Sequence, residues 1–138
     1  MLQVVNTTYG TVATTASSTY QDTGLSLSIT PSSASSKVLV LVHQNGCQKS
    51  GTAAGIRMSL RLLRGATVIH TPGELFLFTN TANDMYGTTI SASYLDEPAT
   101  TSATTYKTQF RSDTAAGDVH VQANNQHTSS ITLLEIGA

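Results

Sequence analysis

Residues Leu25-Ser26-Leu27-Ser28-Ile29-Thr30-Pro31-Ser32-Ser33-Ala34-Ser35-Ser36-Lys37-Val38-Leu39-Val40-Leu41-Val42 constrain the fold more than any other stretch. Leu25, Leu27 and Ile29 alternate with Ser26, Ser28 and Thr30. Side chains on a strand point to opposite faces in turn, so this alternation predicts a half-buried strand with a wet outer face. Val38 to Val42 is apolar at every position, which predicts a strand covered on both faces. Between the two, Pro31 cannot donate to a strand ladder, and the serines around it satisfy local backbone groups, so a turn joins them. Two strands written in these two codes predict a layered, all-β domain.

The same pattern runs through the rest of the chain. Leu2 to Thr8 reads as a first strand, and Thr11 to Tyr20 as a strand plus a loop. Ile56, Met58, Leu60 and Leu62 alternate with Arg57, Ser59 and Arg61. With Gly55 and Gly65 as punctuation, this predicts a hairpin of Ile56–Arg64 and Thr67–His70 turning at Arg64-Gly65-Ala66. A short helix is the alternative, since Met58 to Arg64 has fair helix propensity. Thr71-Pro72-Gly73 reads as a turn, and Leu75 to Thr79 as a short apolar strand. Thr88 to Leu95 places Ile90, Ala92 and Tyr94 on one face, and Asp96-Glu97-Pro98 ends it. Thr104 to Arg111 sets Tyr106, Thr108 and Phe110 against Lys107, Gln109 and Arg111. Asp118 to Ala123 places Val119, Val121 and Ala123 inward, with His120 and Gln122 outward. In Ile131 to Ile136 the apolar phase slips at Leu133-Leu134. Either a bulge sits there or both faces are buried, as in a strand in the middle of a sheet. The expectation is one antiparallel all-β domain over residues 1–138, with about nine or ten strands at the spacing typical of sandwiches and barrels. Thr14–Tyr20 and Thr100–Tyr106 look alike, and low-complexity convergence accounts for that better than an internal repeat.

Composition narrows the function classes. Charged residues are 11% of the chain, against ~25% in an ordinary soluble domain. Ser and Thr make up roughly a quarter of it. Such a surface suits a virion or extracellular protein, or a subunit that meets copies of itself. The net charge is -1 and the basic residues form no run, which argues against nucleic-acid binding. No segment is apolar enough to cross a bilayer, and Met1-Leu2-Gln3-Val4-Val5-Asn6-Thr7 lacks the basic and apolar regions of a signal peptide. The lone Cys47 has no internal disulfide partner. The expectation is synthesis in a reducing cytoplasm without a secretion step.

The residue types that carry chemistry are scattered. His43, His70, His120 and His127 lack His-x-x-x-His spacing and read as surface or interface residues. Three copies around an axis would bring three equivalent histidines together. Cys47, in Gln44-Asn45-Gly46-Cys47-Gln48-Lys49, matches no cysteine-enzyme signature and reads as a buried or half-buried small residue. The acids are Asp22, Glu74, Asp84, Asp96, Glu97, Asp113, Asp118 and Glu135. Glycoside hydrolysis needs two carboxylates about 5–10 Å apart, and Asp96-Glu97 qualifies only by adjacency. Asp96 is expected to stabilise a turn and Glu97 to be an exposed or interface charge. Glu135, in an apolar strand, is expected to pair with Arg57, Arg61 or Arg111. Gly51-Thr52-Ala53-Ala54-Gly55 lacks the lysine of a phosphate loop. With Thr79–Gly87 and Ser112–Gly117 it forms the loops on which binding would be built. No catalytic residue, metal ligand or cofactor site is expected.

Several segments resemble a family of tailed-bacteriophage virion proteins of the tail-fibre or minor structural type. They are Leu2-Gln3-Val4-Val5, Gly24 through Val40, Arg61-Leu62-Leu63-Arg64-Gly65-Ala66-Thr67, Tyr94 through Lys107, and Ile131-Thr132-Leu133-Leu134-Glu135-Ile136. In order they span nearly the whole chain. The resemblance implies a virion component and a trimeric β-sandwich of jelly-roll kind, and it implies no catalytic residues. In such fibres the module commonly follows a long stem, whereas here Met1 nearly abuts the first strand, which favours docking on another virion protein or decoration of a capsid. The expected function is a non-enzymatic, trimeric tail-fibre or tail-tip module involved in host attachment. The alternatives are a capsid decoration (cement) protein, a free-standing lectin and, last, a glycan-processing enzyme. The expected partners are copies of itself, other tail or capsid proteins and a host surface glycan, without nucleic acid or membrane insertion. Ser26, Ser28 and Thr30 are the expected subunit-contact surface.

Overall fold

Lys37–Lys49 forms a single strand of thirteen residues, and the architecture is arranged around it. In the computed structural model, which describes residues 1–138, ten strands follow one another. They are β1 (Gln3–Tyr9), β2 (Ala13–Thr15), β3 (Gln21–Ile29), β4 (Lys37–Lys49), β5 (Met58–Arg64), β6 (Thr67–Phe76), β7 (Met85–Asp96), β8 (Thr104–Ser112), β9 (Val119–Val121) and β10 (Ser129–Ile136). A short 3-10 turn, Ala123–Asn125, lies between β9 and β10. The strands make two antiparallel sheets packed as a β-sandwich. Sheet A holds β1-β10-β4-β9-β2 with β7 on β4, and sheet B holds β3-β8-β5-β6.

The pairing is nested. β5 pairs with β6, β4 with β7, β3 with β8, β2 with β9 and β1 with β10. The chain is thus one long hairpin, folded over on itself by the further pairs β4–β10, β4–β9 and β5–β8. Its tip is the β5–β6 turn, where Arg64 faces Thr67. Gly65 has φ +57 there, and a two-residue hairpin loop favours glycine at that first position.

β4 pairs with β10 through residues 37–43 and with β7 over the same stretch, so the two neighbours lie on opposite edges. Beyond Gln44 the register with β7 slips by one residue at Gly46. Gly46 has φ +62, and a Cβ there would lie 2.6 Å from the Ala123 nitrogen and from His127 Cβ. This bulge makes room for the 3-10 turn and for β9, which pairs with Gln48 and Lys49. It also flips the phase, because an extra residue moves every later side chain to the other face. Val38, Val40, Val42 and Gln44 point inward before it, Cys47 and Lys49 after it.

Several expectations are corrected. Met58–Arg64 is a strand, so the helix alternative is excluded. β6 runs straight through Thr71-Pro72-Gly73 instead of turning, its register with β5 absorbed by bulges. Pro72 is tolerated because β6 is an edge strand. Leu75 and Leu77, with φ of +63 and +65, belong to the end of that strand and the bend after it. β10 alternates without a break, Ile131, Leu133 and Glu135 inward and Leu134 and Ile136 half-buried outward. There is no bulge at Leu133-Leu134, and the strand lies inside the sheet between β1 and β4. Val38–Val42 is covered on one face only: Leu39 and Leu41 are half-buried on the outer face of sheet A. Gln122 points inward, not outward, because its backbone is left-handed at φ +50 and leaves the strand alternation.

The core is two apolar clusters. One gathers Leu25, Ile29, Val38, Val40, Val42, Leu62, Tyr106, Ile131 and Leu133. The other gathers Cys47, Ile56, Met58, Leu60, Leu77, Ile90, Phe110, Val119 and Val121. A polar layer separates them along the strands, since Gln44 falls between Val42 and Cys47, and Thr108 between Tyr106 and Phe110. Gln44 Nε2 donates to Gln122 Oε1 and, at 3.0 Å, to Ser129 Oγ, while Gln44 Oε1 accepts from Thr108 Oγ1 at 2.8 Å. Gln122 Oε1 also accepts from Ser129 Oγ at 2.9 Å, and its Nε2 donates to the carbonyls of Thr11 and Thr23 at 3.0 and 2.8 Å. Both amides therefore find partners for nitrogen and oxygen, as burial demands. Gln122→Ala removes one of the partners of Gln44 and of Ser129 and leaves the Thr11 and Thr23 carbonyls without this donor. We expect it to lower unfolding stability by about 2–3 kcal/mol, read from urea denaturation at unchanged m-value.

Candidate functional site

The outer face of sheet B carries the richest side-chain chemistry. The alternation of β8 turns Thr105, Lys107, Gln109 and Arg111 outward, half-buried. Cross-strand register places Gln109 between Arg61 of β5 and Asp22 of β3, and Lys107 beside Ser26. Arg61 donates from Nε and Nη2 to Gln109 Oε1 at 3.0 and 2.7 Å. Gln109 Nε2 in turn donates to Asp22 Oδ1 at 2.8 Å, and Lys107 Nζ lies 3.0 Å from the same oxygen. The bond from Gln109, with the Lys107 charge, holds the Asp22 carboxyl below its usual pKa. The Tyr20 ring packs against two guanidiniums, Arg61 at 3.9 Å and Arg111 at 4.6 Å from its centroid. Arg111 Nε donates to Asp113 Oδ1 at 2.7 Å, and Ser59 Oγ to Asp113 Oδ2 at 2.6 Å. These side chains form a continuous ladder across three strands.

At one end of the ladder lies a hollow of about 350 Å³ lined by Asp22, Gly24, Leu25, Ser26, Thr105 and Lys107. Its origin is the irregular β3–β8 register between Asp22 and Ser26. Gly24, at φ +92, sits within that irregularity, and a side chain there would run into the Tyr9 ring. The hollow holds one carboxylate, one ammonium and two hydroxyls, that of Thr105 bonded to Ser28 Oγ at 2.6 Å, with the buried Leu25 beneath. That mixture of donors and acceptors suits a hydroxyl-rich ligand held by hydrogen bonds.

The other acids go elsewhere. Asp96, expected to stabilise a turn, is instead 4% exposed and faces inward. It accepts from Arg64 Nη1 at 2.8 and 2.9 Å and from the Tyr106 hydroxyl at 2.7 Å, tying β7 of sheet A to β5 and β8 of sheet B. Burial and the adjacent Asp96 carboxylate push the Tyr106 phenol upward. Glu97 points the other way and pairs with Lys37 at 2.7 Å on the surface. Glu135 pairs with none of Arg57, Arg61 or Arg111, which lie in sheet B or, for Arg57, just before its strand β5. It is 1% exposed and accepts from Ser32 N and Ser32 Oγ, both at 2.7 Å, and from Gln3 Nε2 at 2.9 Å. It thereby fastens the β3–β4 turn and β1 to β10. Asp84 accepts from the Gly51 amide and, at 2.8 Å, from the Tyr86 hydroxyl.

The histidines lie apart. His43 bonds Ser91 at 2.9 Å and His120 bonds Thr14 at 2.8 Å, both on the outer face of sheet A. His70 stacks on Tyr94 of the opposing sheet at 5.2 Å, and His127 packs beside Gly46. No three His, Cys, Asp or Glu side chains are grouped as metal ligands would be. Cys47 is wholly buried, near the end of β4. Its Sγ donates to the Gln44 carbonyl at 3.2 Å, and burial pushes the thiol up to about 12.

Three features escape a reading of the sequence. Lys49 is wholly buried and donates to Thr79 Oγ1; only the phase flip at Gly46 accounts for its inward direction. Tyr20, at the end of an unpatterned Thr/Ser run, gives no sign of its arginine partners. Gln122 leaves its alternation through a backbone conformation that carries no residue signature. No family model matches the chain, and no curated protein matches it either.

Two measurements check these assignments. Bonds from Ser32 and Gln3 hold Glu135 down to about 2, from an ordinary 4.5. Its contribution is therefore full above pH 4.5 and disappears as pH falls through about 2. Glu135→Gln is expected to be less stable than the native chain at pH 7, with the difference closing as pH approaches 2, followed by denaturant midpoints across pH. Cys47 is expected to resist a thiol reagent such as Ellman's at pH 8 in the folded protein and to react fully in denaturant.

Proposed function

We propose that this chain is a bacteriophage virion structural protein without enzymatic activity, a homotrimeric tail-fibre or tail-tip module that contacts the host surface. The observation that carries the reading is the strand order. With the short β2 and β9 set aside, the sheets are β1-β10-β4-β7 and β3-β8-β5-β6. One long hairpin has been rolled so that successive strands fall in alternate sheets, save at its β5–β6 tip. We read this as a jelly roll, an architecture that recurs in viral capsid and lectin domains. The segment resemblance to tail-fibre proteins supports the same assignment. The chemistry of the sheet B hollow supports a host glycan as ligand, because paired Asp22 and Lys107 with Ser26 and Thr105 offer hydroxyl-matching groups.

A second reading is a capsid decoration protein that cements neighbouring capsomers. The observation that favours it is the outer face of sheet A, which carries a single ion pair, Lys37–Glu97, at its rim and is suited to lying flat on a shell. The two readings separate by position and copy number in purified particles. Labelling and quantitative mass spectrometry are expected to find the chain at the tail in a small multiple of three. Copies on the order of hundreds spread over the head would replace the tail reading with decoration. Absence from particles would end both, and cleavage of host polysaccharide by the purified chain would overturn the non-enzymatic assignment.

A further inference from the structure

β4 is apolar on both faces from Val38 to Val42, yet the chain covers only one of them. On the outer face of sheet A, register aligns Val4, Leu134, Leu39 and Leu95 in one row across β1, β10, β4 and β7. Val4 and Leu95 are each 49% exposed. Ile136 and Leu2 lie on one side of that row and Leu41 on the other, so the apolar surface extends in both directions. Further along, the face is Ser, Thr, Asn and His, ending in a row of Thr14, His120 and Gln48. Isolated exposed leucines are ordinary, whereas a contiguous row across four strands marks a surface that another molecule covers.

We infer that a second copy of this chain covers the outer face of sheet A, and that in the homotrimer this face is turned toward the three-fold axis. The inference deepens the reading of the chain as a trimeric subunit and rests on it. Charge selects the occupant. The only Lys, Arg, Asp or Glu at an outward position of these four strands is Lys37, and Glu97, just past the end of β7, neutralises it at the rim. A charged partner would find nothing to pair with here, while the equivalent rows of the other two copies, converging on the axis, bring apolar groups and no unpaired ion. The sheet B face is a poor alternative, since Asp22, Lys107, Arg61 and Arg111 would all lose water. Size agrees as well. The six strands of sheet A, at ~3.3 Å per residue and ~4.8 Å between strands, present on the order of 700 Å². A specific interface takes about 800 Å² from each partner. An apolar centre with a hydroxyl-rich periphery also matches the usual division of an interface into core and rim. The placement moves the subunit contact away from Ser26, Ser28 and Thr30 and leaves the sheet B hollow open to the outside.

The test is solution mass by light scattering at about 10 µM, with circular dichroism and melting curves to verify folding. The wild-type chain is expected at three times its 14.5 kDa mass. The double variant Val4→Glu/Leu95→Glu, at two exposed sites, is expected to be monomeric and folded, while Ser28→Glu on the sheet B face stays trimeric. Should the double variant not fold, Leu95→Ser serves in its place, with dissociation expected at about tenfold higher protein concentration. A monomeric wild type, an intact trimer in the folded double variant, or dissociation by Ser28→Glu would each overturn the inference. If the wild type is monomeric but Leu95→Glu abolishes incorporation into particles, another virion protein covers the face. The self-association inference then fails while the virion assignment stands.

Discussion

Sheet A depends on the two edges of β4. One edge takes β10 and then, past the bulge, β9; the other takes β7. Because β10 also pairs with β1, and β9 with β2, β4 is the element that joins β1-β10, β9-β2 and β7 into one sheet. A strand buried at both edges must satisfy its whole backbone in ladders, which favours β-branched and aliphatic residues at its start. A strand of thirteen residues must also accommodate sheet twist, and the glycine bulge at Gly46 relieves it at the point where the neighbour changes. The bulge, the 3-10 turn and the inward rotation of Gln122 are one structural event seen from three segments.

The polar layer between the apolar clusters follows from the same event. Gln44 is the last inward residue of β4 before the phase flips, and Gln122 is the first residue of the turn that fills the resulting gap. Their side chains meet where the sheets can no longer interdigitate aliphatic groups in regular rows. A buried amide has four hydrogen-bonding positions, and a shifted register would leave several of them empty at a cost of about 1–3 kcal/mol each. The layer therefore discriminates against register slips that a uniformly apolar core would tolerate. Asp96 with Arg64 and Tyr106 joins the two sheets near one end, and Glu135 fixes the turn and terminal strands at the same end of sheet A.

How much of this can be read from the chain depends on whether a residue's partner is local. β3 and β8 are legible because Leu25, Ile29, Tyr106 and Phe110 keep strict period-two spacing, which the pleat converts directly into one buried face. β4 is legible as far as Gln44. Beyond it, nothing in Gln48-Lys49 says that a lysine, not a glutamine, turns inward; the answer lies in a left-handed glycine whose conformation is set by Ala123 and His127. The acids are least legible. Glu135 lies in an apolar strand that invites an arginine partner, but nested pairing brings β1 and the β3–β4 turn to it instead. Asp96 sits where a strand ends before a proline, a turn signal by composition, yet its partners lie 10 and 32 residues away. The Arg61–Gln109–Asp22 ladder required knowing that β3, β8 and β5 are neighbours, which no local periodicity encodes.

The two outer faces of the sandwich divide its surface chemistry unequally. β8 sends Lys107, Gln109 and Arg111 outward with hydrogen-bonding partners already in place, so sheet B can stay in water without cost and keep its hollow solvated. β4 and β10 send Leu39, Leu41, Leu134 and Ile136 outward, where water contact is unfavourable by about 25 cal/mol for every Å² exposed. Both faces derive from the same strand alternation, so the difference is not imposed by the fold. It lies in which residues occupy the outward phase of the strands that β4 organises. An isolated sandwich of low charge would gain stability and solubility from serine or threonine at those positions, which the chain uses freely elsewhere. Their absence from this one row is the pattern that the proposed self-association would account for: Val38–Val42 is apolar on both sides, and the chain itself covers only one.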